Sequence, residues 1–315
     1  MIVFNRPDLA ARVFEAVRAA RPRTLIAIAD GPREGRAADE DACRASRALF
    51  DRIDWPCELV RVFSDRNLGC RERVGSGITE AFHHVERCII LEDDCVPHPT
   101  FFPYCEELLE RYAGDERIMT VSGSGFAPEV GGFTFEHSYY VTRFAHIWGW
   151  ATWRRAWAHY DSRMARWPEL RDSDWLRRWC PSFHDRLYWK LWLQMCYDGK
   201  VDTWDVPWTF SSWAAGSGGS GREGAGSGGG LSICPARNLV TNIGFGEGAT
   251  HTRLVTQFAN LPSHAMELPL RHPPDVGRPD EAVDAWTQRQ CYTGSFRRRR
   301  KRLFRYLRHG VAARA

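Results

Sequence analysis

The sequence predicts an α/β protein, a Rossmann-like mixed sheet flanked by helices, and three observations predict it. Short apolar runs without helical period alternate with amphipathic segments over about the first two-fifths of the chain. Turn-forming residues close those runs, with Asn5-Arg6-Pro7 after the first and Asp30-Gly31-Pro32 after the second. Finally, Glu92-Asp93-Asp94 directly follow the run Cys88-Ile89-Ile90-Leu91. A buried strand there would deliver carboxylates to a sheet edge, and open α/β sheets bind ligands at the carboxyl ends of their strands.

Residues 2–4 make a very short first strand. Asp8 is placed to cap a helix with Leu9, Val13, Phe14 and Val17 on one side. Residues 24–29 are the second strand, a helix spans 37–53, and a third strand spans 57–63. A turn at 67–70 leads to a helix over 73–85, and the 88–91 strand closes the unit. Residues 99–112 then read as helix and 118–122 as strand. The 139–168 segment is dense in aromatics, including Trp148, Trp150, Trp153, Trp157 and Trp167. Helical pattern returns over 185–197, with Leu187, Trp189, Leu191, Trp192 and Met195. Residues 214–230 are almost entirely Gly, Ser and Ala, the composition of a flexible loop or linker. Patterned sequence resumes at Leu231, and 273–279 reads as a surface connection toward a basic tail.

With 315 residues the chain can bury one large α/β core or two smaller ones. A hydrophobic content of 43% excludes general disorder. The 14 Trp suit core packing or aromatic-lined clefts. The net charge of +4 is unevenly placed, since Arg297-Arg298-Arg299-Arg300-Lys301-Arg302 precedes apolar Leu303, Phe304 and Leu307. A short amphipathic helix there would rest on anionic lipid, giving peripheral membrane contact. A merely solvated tail is the rival reading, and nucleic acid is disfavoured because no nucleic-acid motif occurs elsewhere. Ten Cys without a C-x-x-C pair or zinc spacing fit a reduced cytosolic protein. Without a signal-peptide pattern or an apolar run near the ~18 residues of a spanning helix, the expected place is the cytoplasm, with the inner face of the membrane as a peripheral position if the basic tail rests on lipid.

An acidic triplet in an arbitrary protein is usually a solvated turn, but after a buried strand it equally suits metal binding. Hard oxygen ligands favour Mg²⁺ or Mn²⁺, which bridge a carboxylate to a diphosphate. The chain has neither a P-loop nor a dinucleotide-binding fingerprint.

The order Phe4-Asn5-Arg6-Pro7, Asp30-Gly31-Pro32, Asn67-Leu68-Gly69-Cys70-Arg71, Glu92-Asp93-Asp94, Trp148 to Trp153 and Asn242-Ile243-Gly244-Phe245-Gly246 resembles GT-A-type sugar-nucleotide-dependent glycosyltransferases. It is most similar to bacterial members akin to N-acetylglucosaminyltransferase I. The resemblance covers roughly residues 1–255 and implies the GT-A nucleotide-diphospho-sugar transferase fold. Its nucleotide-binding half would be about 1–125 and its acceptor half about 126–255, with 256–315 as a C-terminal extension.

By that resemblance Asp94 is the metal ligand for Mn²⁺ or Mg²⁺. Asn5, Arg6, Asp30 and Arg71 would meet the donor, and Asp93 would lie near its ribose or sugar. Trp148, Trp150 and Trp153 would line the acceptor cleft. Asp205 is the candidate base, with Asp198 and Asp202 as competitors, and His251 is a second candidate for phosphate or metal. The implied activity is inverting transfer of a hexosyl or N-acetylhexosaminyl group from a nucleotide-sugar donor to a hydroxyl of a glycan or lipid-linked acceptor, in surface polysaccharide or glycolipid synthesis. A non-catalytic glycan-binding module and a nucleotidyltransferase are the alternatives.

Overall fold

The computed structural model describes residues 1–215, 230–245 and 257–293. His251, the basic tail and most of the Gly/Ser stretch therefore lie outside the described residues. The elements run β1 (Ile2–Val3), α1 (Pro7–Ala20), β2 (Thr24–Ala29), α2 (Ala37–Ala48), β3 (Glu58–Phe63), α3 (Cys70–His84), β4 (Arg87–Ile90), β5 (Cys95–Pro97), α4 (Phe101–Arg111) and β6 (Ile118–Ser122). There follow α5 (Phe126–Gly131), β7 (Tyr139–Thr142), β8 (Trp150–Trp153), α6 (Arg154–Trp157), α7 (Trp167–Arg171), α8 (Trp175–Trp179), α9 (Phe183–Tyr197), α10 (Asp205–Ala215), β9 (Leu231–Pro235), β10 (Val240–Asn242) and α11 (Glu281–Thr287).

The fold is mixed α/β, with open sheets flanked by helices. β1, β2 and β3 form a parallel three-stranded sheet in that order. A five-stranded sheet has the order β4-β8-β6-β9-β7, in which only β6 and β9 are parallel neighbours. A parallel bridge from Ile2 to Glu92 and a 2.8 Å bond from Ile2 N to Leu91 O join the two sheets. β1 and β4 thus point the same way, and their following loops leave at one edge. β5 and β10 pair separately as an antiparallel ribbon.

The first helix starts two residues earlier than its capping pattern suggests. Pro7 occupies its first turn, Arg6 is the N-cap, and Asp8 lies in the first turn without a capping bond. Pro is pre-shaped for that position, so fixed backbone geometry replaces a side-chain cap. The helix expected over 37–53 ends at Ala48 and continues as a 3-10 turn over Leu49–Arg52. α3 begins at Cys70, three residues early, because Asp202 accepts from Cys70 N at 3.0 Å and Arg71 N at 2.9 Å. That cap comes from a distant segment and leaves no local trace.

Two aromatic-rich cores hold the elements together. The larger packs Phe14, Phe101, Tyr104, Trp150, Trp204 and Trp208 among β1, β2, β4 and β6. Met266, Leu270 and Val276 belong to it, so the described part of the C-terminal extension packs on the main body. The second core joins α7 to α10 through Trp167, Trp175, Trp179, Trp189 and Trp213. Trp179 and Trp213 stack with centroids 5.3 Å apart.

Candidate functional site

The strand ends at that common edge surround a cavity of about 380 Å³, within the size range of small-molecule sites. Phe4 and Arg6 follow β1, Asp30 follows β2, and Glu92, Asp93 and Asp94 follow β4; all line it. Asp202, Thr203 and Trp204, in the segment before α10, and Asp205, at its start, also line it, with Trp148 and Phe245. Ile243 N donates to Asp94 O at 2.9 Å, drawing the segment after β10 over the acidic turn. A Cβ at Gly244 would lie 1.9 Å from Asp94 Oδ2, so only glycine lets that backbone pass the carboxylate.

The cavity is electrostatically unbalanced. Six carboxylates line it (Asp30, Glu92, Asp93, Asp94, Asp202, Asp205) against three guanidinium groups (Arg6, Arg33, Arg73), among the described residues. Arg6 is the counter-ion of the acidic turn. Its Nη2 donates to Asp93 Oδ1 and lies 2.9 Å from Asp94 Oδ2, while its Nε reaches Asp93 Oδ2 at 3.4 Å. Burial, reinforced by the charges of Asp94, Asp93 and Asp205, pushes the Glu92 carboxyl up to about 8. Burial also raises Asp93 to about 6, against the opposing pull of Arg6. Burial thus favours the neutral form of Glu92, and the other five carboxylates still outnumber the three guanidinium groups among the described residues.

Asp30 is occupied in organising the protein. It accepts from Gly31 N at 2.9 Å, Leu68 N at 2.9 Å, Gly69 N at 3.2 Å and Asn67 Nδ2 at 3.0 Å. These donors fill the roughly four lone-pair sites of a carboxylate and lock the 67–69 turn. Beside it Arg73 is only 6% exposed and lines the cavity, yet its Nε has no hydrogen-bond partner among the described residues. Burial lowers its pKa, with Asp30 as the opposing influence. A buried guanidinium in that state is costly unless a ligand supplies acceptors. Arg73 escaped the motif reading, but it sits on the same helix face as buried Val74, Gly77, Ile78 and Ala81, an anomaly visible in the pattern.

Of the residues singled out in the sequence, Arg6, Asp30, Asp93, Asp94, Trp148, Asp202 and Asp205 come together here. Others do not. Asn5 Nδ2 donates to Asp39 Oδ1 at 2.8 Å, tying the β1 loop to α2. Arg71 donates to the carbonyls of Cys196, Val201 and Thr203, so it anchors the 196–203 segment and not a ligand. Trp150 and Trp153 are 0% and 3% exposed. Trp150 stacks on Trp204 at 5.4 Å and Trp153 Nε1 donates to Leu109 O at 2.9 Å, so both are core residues, leaving Trp148 as the cavity wall. Asp198 accepts from Gln194 and Lys200 and lies outside the cavity lining. Asp202 spends both oxygens on the α3 N-terminus. Asp205 Oδ1 accepts from Thr203 Oγ1, and no hydrogen bond engages its Oδ2 among the described residues.

Among the described residues no three His, Cys, Asp or Glu side chains form a metal cage. The residues nonetheless fit a divalent cation that draws most ligands from a bound molecule and water. Asp94 offers hard oxygens under the Gly244 backbone in a cavity with surplus negative charge. No family model matches the chain, and no curated protein matches it significantly.

Proposed function

We propose that the chain is a metal-dependent inverting glycosyltransferase of the GT-A type, moving a sugar from a nucleoside-diphosphate donor to a hydroxyl acceptor. The observation that supports it most is the meeting, in one strand-end cavity, of the Arg6–Asp93–Asp94 group with Asp205 and Trp148. Binding determinants and a proton acceptor thus face one space, as a single-displacement transfer requires.

The donor's nucleoside would lie toward Asn67 and Arg73 and its diphosphate toward Arg6. A divalent cation on Asp94 would supply neutralisation of charge developing on the departing diphosphate. Asp205 Oδ2 would take the proton of the acceptor hydroxyl as that oxygen attacks the anomeric carbon, with Thr203 holding the other oxygen in place. Trp148, in edge contact with Phe245 at 5.4 Å, offers an apolar wall for a sugar ring.

The test is product analysis by mass spectrometry after incubation with UDP-, GDP-, dTDP- and CMP-sugars, Mn²⁺ and a glycan acceptor panel. Release of the nucleotide with a glycosylated acceptor supports the proposal, whereas release of sugar 1-phosphate with the nucleoside monophosphate carried to the acceptor would make the protein a nucleotidyltransferase. Asp205→Asn should retain donor binding and lose turnover by about 10²–10⁴-fold. Undiminished turnover would assign the base elsewhere.

A further inference from the structure

We infer that Arg6 is a latch on the cation site: its guanidinium holds Asp94 in the ligand-free cavity, and a diphosphate releases the carboxylate by taking that guanidinium. The inference rests on the reading of this cavity as a cation-assisted nucleoside-diphosphate site.

The geometry is one of competition for one oxygen. Arg6 Nη2 lies 2.9 Å from Asp94 Oδ2, the same atom that stands beneath Gly244. A divalent cation on that oxygen would sit within contact range of the guanidinium, and two positive charges so placed repel. Arg6 has somewhere to stay when it lets go, because its Nε and Nη2 are also bonded to Asp93, which is 3% exposed. Asp93 therefore serves as the hinge and Asp94 as the exchangeable partner.

An incoming diphosphate has few other partners. Arg33 is committed to Asp39 through bonds of 2.5 and 2.8 Å. Arg73, beside Asp30, is left to the nucleoside end of the donor in the arrangement proposed above. The N-terminus of α3, which would ordinarily attract an anion, is taken by Asp202. The guanidinium at the acidic turn is the cation left to meet the diphosphate. Once it turns, Asp94 is free for the metal, so the two ligands promote each other's binding reciprocally.

The test reads Mn²⁺ uptake by the loss of the free-ion electron paramagnetic resonance signal, without nucleotide and with UDP or GDP. Arg6→Gln should bind Mn²⁺ alone about tenfold or more tightly than the wild type. Arg33→Met, which removes an equal charge from the same cavity, should change it less than about twofold. Arg6→Lys, which keeps the charge without the forked contact, should fall between wild type and Arg6→Gln and stands in if the glutamine variant does not fold. If the wild type takes up Mn²⁺ with the diphosphate but neither Arg6 variant gains affinity without it, the latch is overturned alone. If no protein takes up Mn²⁺ even with UDP or GDP, the cation site fails and the latch with it.

Discussion

Arg73 shows how one residue can mark a site by being poorly satisfied. Its Nε is buried with no hydrogen-bond partner among the described residues, and Asp30, its main opposing charge, is filled by the 67–69 turn. The fold therefore keeps an interaction in reserve at a cost to its own stability. Arg73→Met should raise the stability of the ligand-free protein by about 1–3 kcal/mol in chemical denaturation. The same variant should weaken nucleoside-diphosphate binding at least about tenfold by calorimetry. Loss of stability with unchanged binding would mean that Arg73 is a structural residue. His146 gives a second reading at a single group. Burial holds its imidazole down from 6.5 to about 4, so the unfolded chain accepts a proton that the folded one refuses. Its contribution is complete above pH 6.5 and is lost as pH falls toward 4. Stability measured against His146→Gln should decline across that window, and a difference independent of pH would refute the assignment.

The Trp-rich segment divides into a wall and a core where it enters β8. Trp150 on β8 stacks among Trp204, Trp208 and Trp157, whereas Trp148 two residues earlier faces Phe126, Phe245 and the cavity. Trp150→Ala should cost about 3–5 kcal/mol, and Trp148→Ala should cost much less while weakening acceptor binding. Equal losses of stability in urea titrations would contradict that division. The start of α3 depends on another segment in the same way. Asp202→Ala should remove its remote cap, costing about 1 kcal/mol and fraying residues 70–72 in hydrogen exchange. These cases show where sequence reading succeeds and stops. β2 and β6 were legible because each is a largely apolar run bounded by turn residues. β8 was not, because a strand buried on both faces and built from Trp has no alternation to betray it. The antiparallel pairing of β4 with β8 was equally hidden, since register arises between segments far apart in the chain.

The protein as assembled explains why part of the site could be read and part could not. Glu92, Asp93 and Asp94 announced themselves through position, because strand ends in an open sheet share one edge. Arg6 and Asp30 follow the same rule at the ends of β1 and β2. Asn5 and Arg71 occupy equally suggestive positions, yet their side chains hold other segments, at Asp39 and at the 196–203 carbonyls. Turn chemistry and ligand chemistry use the same residue types, and only the folded arrangement separates them. Asp205 opens α10 and Asp202 lies in the segment before it, and α10 carries little amphipathic signal because nearly all its residues are buried.

The central claim is that this edge binds a nucleoside diphosphate through a cation on Asp94. Calorimetric titration of UDP and GDP into wild type and Asp94→Ala, with and without Mn²⁺, tests it directly. The account predicts wild-type binding at least about tenfold tighter with Mn²⁺, and loss of that enhancement in Asp94→Ala. Equal binding by both proteins whether or not Mn²⁺ is present would contradict it.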